Sequence, residues 1–281
     1  MRSVGESELS ELATNYRRDG FGYVRQLFDA EDLAPLINAL DDGGASPGGF
    51  SVTDSQGGQQ ELSVWMHLGD DFIGVIPRIE PMTTIAERVV NDRVGHWHSK
   101  LSWKRPGATS LWDWHQDYGF WVSEEVPRPD MCTIAVALGP ITEANGAMRL
   151  MRSSHHLGRI DLAPLGESRA SNPDVVATAL ESHEVELCEL ELGDAVVFHS
   201  NTLHSSGSNT SEAPRTMLMS SYTAISNQPT APIAKRNCAP IEVLDASALT
   251  NAAHNIFGPN AFVDPIEDDQ DQGYKITRLE R

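Results

Sequence analysis

Cysteine is scarce in this chain: Cys132, Cys188 and Cys238 are the three in 281 residues. They are odd in number, far apart and in no Cys-x-x-Cys pattern. That argues against a disulfide scaffold, a zinc ribbon or an iron–sulfur cluster. Long apolar runs are lacking too. No segment approaches the length of a membrane span, and Met1-Arg2-Ser3-Val4-Gly5-Glu6 has no apolar leader region, so a cytoplasmic protein is expected. Basic residues are few: 21 Lys and Arg stand against 40 Asp and Glu, a net charge of −19. Such a surface repels phosphate backbones, so neither nucleic acid nor an anionic membrane is an expected partner. No internal repeat is present. What the chain does have is 40% hydrophobic and 22% charged residues, enough to bury a sizeable core. A single domain over 1–281 is expected, as a monomer or homodimer acting on a small molecule.

Taken in order, Glu6 to Asp19 reads as a helix, with Leu9, Leu12, Ala13 and Tyr16 at helical spacing and Gly20 closing it. Residues 21–28 alternate like a strand. Asp29 caps a second helix through Leu33, Leu36, Ile37 and Leu40. Residues 41–60 are rich in Gly, Ser, Asp and Gln and read as a long exposed loop. A helix is expected near Met82 to Asn91, and an alternating segment from Leu101 to Arg105. Met131 to Leu138 is an apolar run of strand length between Pro129 and Gly139-Pro140, suited to a doubly buried central strand. Asn145-Gly146 is a turn, Met148 to Met151 a short strand, and 161–172 irregular and able to cover a site. Strands follow at 185–192, 195–199 and 215–223, with 200–214 a polar loop. Short strands with Gly, Pro and Asn turns, and helices gathered early, predict a mainly β fold with flanking helices, a sandwich or jelly roll. Helices over about 6–92 would buttress a core over about 100–225, followed by an extension over 226–281. The acidic run Glu267 to Asp271 is expected to be solvated.

The chemistry centres on Trp112-Asp113-Trp114-His115-Gln116-Asp117-Tyr118-Gly119-Phe120-Trp121. On a strand, His115 and Asp117 project to one face. One imidazole and one carboxylate are two-thirds of the facial triad that binds Fe(II) and leaves positions open for substrate and O2. The missing histidine must come from elsewhere, and His199, His204, His155 and His156 are the candidates. His204 is favoured because Arg215 follows eleven positions on, after Pro214. A guanidinium fork is the natural clamp for a carboxylate. With the Ser206 hydroxyl, Arg215 could hold the far end of a dicarboxylic keto acid whose 2-oxo end chelates iron.

Trp114-His115-Gln116-Asp117, Glu143-Ala144-Asn145-Gly146-Ala147, Arg152-Ser153-Ser154-His155 and His204-Ser205-Ser206-Gly207-Ser208-Asn209 to Pro214-Arg215 together resemble the phytanoyl-CoA dioxygenase family of Fe(II)/2-oxoglutarate-dependent oxygenases. The opening helix followed by Asp19-Gly20-Phe21-Gly22-Tyr23-Val24 is similar as well, so the resemblance spans roughly residues 8 to 225. It implies a double-stranded β-helix (cupin-like) core and iron on His115, Asp117 and His204. It places 2-oxoglutarate on Arg215 and Ser206, and O2 as the oxidant. Lys104 and Thr133 are further cosubstrate candidates. Where many relatives have Pro-Gly-Ser-His this chain has Arg152-Ser153-Ser154-His155, which weakens a role for His155. The expected reaction is hydroxylation of an unactivated C–H bond of a secondary metabolite, amino acid or osmolyte, with release of succinate and CO2. Desaturation, cyclisation or epimerisation could follow the same hydrogen abstraction. A zinc hydrolase on the same three ligands and a non-catalytic β-helix binding module are the rival readings. For substrate, Tyr118, Trp121 and Gln116 are singled out beside the ligands, while His96 and His98 read as core or surface.

Overall fold

A computed structural model of the chain describes residues 1–43, 47–124, 126–230, 238–259, 261–263 and 276–279. Helix α1 (Glu6–Asp19) buries the expected stripe of Leu9, Leu12, Ala13 and Tyr16. It carries Glu6 and Glu8 in its first turn and Arg17 and Arg18 in its last, both favourable to the helix dipole. Strand β1 (Phe21–Val24) stops short of residue 28. Gln26 turns to positive φ, and its N–H donates to Asp194 Oδ1 at 2.8 Å.

Helix α2 (Ala30–Gly43) is followed by β2 (Phe50–Thr53) and β3 (Gln59–Trp65), an antiparallel pair where a loop is expected. Next come α3 (Phe72–Val75), α4 (Glu80–Val90), β4 (Val94–Lys104), β5 (Trp112–His115), α5 (Asp117–Trp121), β6 (Met131–Ala137) and β7 (Met148–Met151). The stretch expected to be irregular is a hairpin of β8 (Leu162–Leu165) and β9 (Ser168–Ser171). Helix α6 (Pro173–Ser182) follows, unanticipated although Asn172 caps it and Pro173 opens it. The chain continues through β10 (Val185–Cys188), β11 (Ala195–His199), β12 (His204–Ser206) and β13 (Arg215–Ala224). Its last described elements are α7 (Ala246–Ala252) and β14 (Ile276–Arg278). The acidic run at 267–271 lies outside the described residues.

Eight strands form one sheet in the order β1-β11-β6-β13-β4-β3-β2-β14, and four form a second in the order β10-β7-β12-β5. Every residue of β6 is buried, as the apolar run predicts. Its alternation divides the core. Ile134 and Val136 face outward with Leu218, Leu101 and Tyr222 onto the helices, where Met82, Ile85 and Leu249 pack. Ala135 and Ala137 face inward with Met217, Met219, Phe198 and Leu150, between the two sheets. The jelly-roll core therefore closes at one end on an apolar plug.

Candidate metal centre

Strands β5 and β12 run antiparallel with His115 opposite His204, and the other edge of β12 pairs with β7. The sequence places His204 in a loop; the structure holds it between two strands. Strand β5 ends at His115, and Gln116, still extended (φ −109°, ψ 132°), is the N-cap position of α5. Asp117 is therefore the first residue of a helix, not a second side chain on one strand face. The turn still brings its carboxylate to the histidines. Asp117 Oδ1 stands 4.0 Å from His115 Nε2 and 4.0 Å from His204 Nε2. One ligand atom from each residue lies within 4.8 Å of the other two.

Each imidazole is aimed by its own strand. His115 Nδ1 lies 2.7 Å from the Asp113 carbonyl and His204 Nδ1 3.0 Å from the Thr202 carbonyl. A carbonyl only accepts, so each Nδ1 carries the proton and each Nε2 turns a lone pair toward Asp117. Burial, with His204 nearby, pushes His115 down to about 3, and burial likewise lowers His204. Both rings are thus neutral at neutral pH, the form that binds a metal. Burial opposes ionisation of Asp117. Lys100, the two histidines and a 3.4 Å hydrogen bond from Thr133 outweigh it, so the carboxyl lies below its usual range. Two neutral imidazoles and one carboxylate converging on one point match a facial Fe(II) site.

The cosubstrate candidates Lys104, Ser206 and Arg215 come from β4, β12 and β13. Arg215 begins β13 opposite Lys104 of β4. It is 2% exposed, its Nη1 donates to Ser102 Oγ at 3.3 Å, and its buried Nε has no partner. Ser206 Oγ is buried and partnerless as well. Lys104 links the two: its Nζ donates to the Ser110 carbonyl at 3.0 Å and to the carbonyl of Gly207, next to Ser206. Burial, then the charge of Arg215, pushes Lys104 down to about 6. Gly146, at φ 88°, makes room for that lysine, since a Cβ there would stand 2.9 Å from Lys104 Cδ. Buried donors left unpaired cost roughly 1–3 kcal/mol each. A carboxylate laid across Arg215 and Ser206 would satisfy both.

The remaining candidates have partners of their own. Gln116 is fully buried and ties three backbones together. Its Nε2 donates to Gly158 and Asn201 at 2.8 Å each, and its Oε1 accepts from Ile160 N, leaving nothing for substrate. Tyr118 donates its hydroxyl to Val126 O at 2.9 Å, and Trp121 packs edge-on against His98 in the same buried cluster. The Thr133 hydroxyl is committed to Asp117 and Ser221, behind the metal ligand. His155, His156 and His199 stack with one another away from the triad. Lys100, whose charge acts on all three ligands, has no sequence signal beyond its place on an alternating strand.

The donor set and the orphaned groups fit iron and a dicarboxylate. A family model described as phytanoyl-CoA dioxygenase matches residues 16–217, which include all three ligands and Arg215. The chain belongs to the phytanoyl-CoA dioxygenase family. This phytanoyl-CoA dioxygenase family member is an iron(II)- and 2-oxoglutarate-dependent dioxygenase with O2 as cosubstrate. It is 28% identical to L-proline trans-4-hydroxylase of Streptomyces griseoviridis over 204 residues, 65% of this chain and 76% of that protein. Ectoine dioxygenase of Bordetella parapertussis is 24% identical over 238 residues, 78% of this chain and 76% of its own. Among solved structures, EctD from S. alaskensis with 2-oxoglutarate and 5-hydroxyectoine superposes with a TM-score of 0.70 at 20% identity, covering 86% of this chain and 88% of that one. The epimerase SnoN from nogalamycin biosynthesis gives 0.66 at 20% identity, over 84% and 89% of the two chains. The fold is thus the double-stranded β-helix that the sequence motifs imply.

Proposed function

We propose that this oxygenase hydroxylates a C–H bond of a small molecule, with iron(II) on His115, Asp117 and His204 and 2-oxoglutarate on Arg215, Ser206 and Lys104. The convergence of three ligand atoms within 4.8 Å, both imidazoles locked with Nε2 inward, carries the reading. Bound iron supplies the activation of O2 that turns 2-oxoglutarate into succinate and CO2 and delivers oxygen to the substrate. The chain itself contributes geometry. The Asp113 and Thr202 carbonyls fix the rings, Thr133 and Ser221 steady Asp117, and Arg215 fixes the cosubstrate's far carboxylate. The carboxylate of Asp117 fills the position that a halogenating oxygenase leaves open, which favours hydroxylation.

The hydroxylase and dioxygenase names of the relatives, which concern proline and ectoine, favour an amino acid or osmolyte as substrate. An epimerase and a carbocyclase share the fold, so the same hydrogen removal ending in epimerisation or ring closure is the second reading. Among the described residues no helix is long and apolar enough to cross a membrane. A single catalytic unit over 1–281, monomeric or homodimeric, in the cytoplasm and without nucleic-acid partners, fits the charge and composition. The decisive measurement is succinate formation from 2-oxoglutarate under O2. It should require iron(II), stop with chelator and not be restored by zinc; iron-independent or absent turnover would sink the reading, and zinc-dependent hydrolysis would replace it.

A pH dependence follows from Lys104. With its free-state pKa near 6, the ammonium is mostly neutral at pH 7.5 before cosubstrate binds. A carboxylate alongside raises that value, so binding at pH 7.5 draws in up to one proton. Affinity for 2-oxoglutarate should then fall as pH rises from about 6 toward the bound-state pKa. Calorimetry in buffers of different ionisation enthalpy reads the proton directly. The uptake should vanish in Lys104→Met, and a binding heat independent of buffer would remove Lys104 from the site.

A further inference from the structure

A second set of unsatisfied groups lies beside His115, on elements that the metal centre and the cosubstrate clamp do not use. A narrow cleft there is lined by Gln60 of β3, Trp112, His115, Asp54 and Arg169 of β9. Gln60 is 1% exposed, yet neither its amide oxygen nor its amide nitrogen has a partner. A primary amide can make up to about four hydrogen bonds, and burying one with none is a costly arrangement in a folded core. Its surroundings offer no relief. Val52, directly across the β2–β3 register, and Leu62 and Trp112 are apolar neighbours in one cluster. The two acids of the cleft are already committed: Asp54 accepts from Gly58 N at 2.7 Å, Gln56 N at 2.9 Å and Leu111 N at 2.7 Å, and Asp113 accepts from Ser55 Oγ at 2.8 Å and Ser55 N at 3.3 Å.

Arg169 is half-buried within the β8–β9 hairpin, and its side chain makes no hydrogen bond or ion pair among the described residues. It also lines a wider cavity of about 320 Å³, together with Phe120 and Arg159. Arg159 is paired with Asp161 at 2.9 Å, so Arg169 is the uncommitted cation of that cavity. His115 lines the cleft, and Phe120 of the cavity packs near it. The Trp112 ring lies 5.6 Å from that of His115 and the Phe120 ring 5.9 Å from it. In a chain of net charge −19, a guanidinium and an unpartnered amide line the same cleft as His115.

We propose that Arg169 and Gln60 are the specificity-determining pair for a carboxylate on the organic substrate. This rests on the oxygenase reading and names the substrate class of the same site. The Arg169 fork would give two parallel charge-assisted hydrogen bonds, and Gln60 Nε2 a third. Gln60 Oε1 is then left to accept an N–H or O–H from the carbon next to the carboxylate. With room for about 10 Å³ in the cleft and about 320 Å³ in the cavity, that arrangement would suit a small amino or hydroxy acid whose carboxylate enters the cleft while its carbons rest against Phe120 in the cavity.

The test uses the iron-loaded enzyme with 2-oxoglutarate and a panel of free amino acids, each paired with its methyl ester. Succinate released above the substrate-free level is the readout. At least one free acid should stimulate release, with its ester at least about tenfold poorer in kcat/KM, because the ester loses the charge that the fork recognises. Arg169→Leu should raise KM for that acid roughly 100-fold while kcat changes by less than about threefold, and Arg169→Lys should fall between. Gln60→Met should raise KM about tenfold and melt no lower than wild type, since it removes a buried unpaired amide. A merely structural role would instead lower melting temperature and kcat together. Esters as good as acids, a panel with no stimulating acid, or an unchanged KM in Arg169→Leu overturns the assignment while the oxygenase reading stands. Loss of iron-dependent succinate in the wild-type enzyme under every condition removes both.

Discussion

Asp117→Ala should reduce iron-dependent succinate formation on the order of 10³-fold or more, equivalent to about 4 kcal/mol of lost transition-state stabilisation. Two neutral imidazoles 4.0 Å from the carboxylate oxygen remain in the variant, but they cannot offset the charge of a divalent ion. Misfolding would mimic this loss, and the energetics separate the two. Asp117 is a buried carboxylate held ionised by Lys100 and its hydrogen bond from Thr133, against the penalty of burial. Removing it from the metal-free protein also removes that penalty, so the apo variant should melt close to wild type. The difference should appear on adding metal. A ligand at 100 times its dissociation constant stabilises a folded protein by about 2.7 kcal/mol. Wild type should therefore gain several degrees with iron(II) under argon, and Asp117→Ala should gain almost none. An undiminished metal-induced shift, or turnover above about a tenth of wild type, would displace Asp117 from the ligand set.

The parts of this site that local chemistry specifies are visible in the residues alone. His115, Asp117 and His204 carry donor atoms that are uncommon inside a β core, and Arg215 stands at a spacing that a second ligand on a neighbouring strand explains. The all-buried β6 and the capped α1 are likewise written in periodicity and in Gly20. What periodicity could not supply is pairing. Strand β12 is three polar residues long and has no pattern of its own; it is a strand because β5 and β7 flank it. Strand β2 and the start of β3 read as loop because Gly, Ser, Asp and Gln dominate the stretch 41–60 around them, and their extended form comes from pairing with one another and with β4. The same limit explains Gln116. Its amide looked available beside two ligands, but the long-range return of Gly158, Ile160 and Asn201 claims all its hydrogen bonds. Gln60 is the converse, an inconspicuous glutamine in a polar stretch whose isolation is visible only once β3 is built into the sheet.

Arg215→Leu should raise KM for 2-oxoglutarate by about 10²-fold or more, since truncating one side of a buried charge pair costs roughly 2–5 kcal/mol. The structure also predicts an effect of opposite sign on stability. Arg215 is fully buried, and among the described residues no carboxylate lies within ion-pair distance of it. Burial lowers its pKa to about 10, so it is still charged at neutral pH, with only Ser102 Oγ as a side-chain partner and Nε unsatisfied. A lone buried cation is among the most unfavourable groups a core can hold, and replacing it by an apolar side chain of similar length is neutral or stabilising by about 1–4 kcal/mol. The cosubstrate-free leucine variant should therefore melt at or above the wild-type temperature, while losing the stabilisation that 2-oxoglutarate gives wild type. Arg215→Lys keeps the charge without the fork and should recover part of the affinity but not the bidentate geometry. The two readouts must move together. A leucine variant that binds 2-oxoglutarate as wild type does would show that the far carboxylate rests elsewhere, and one that melts well below wild type would show that Arg215 is a structural group.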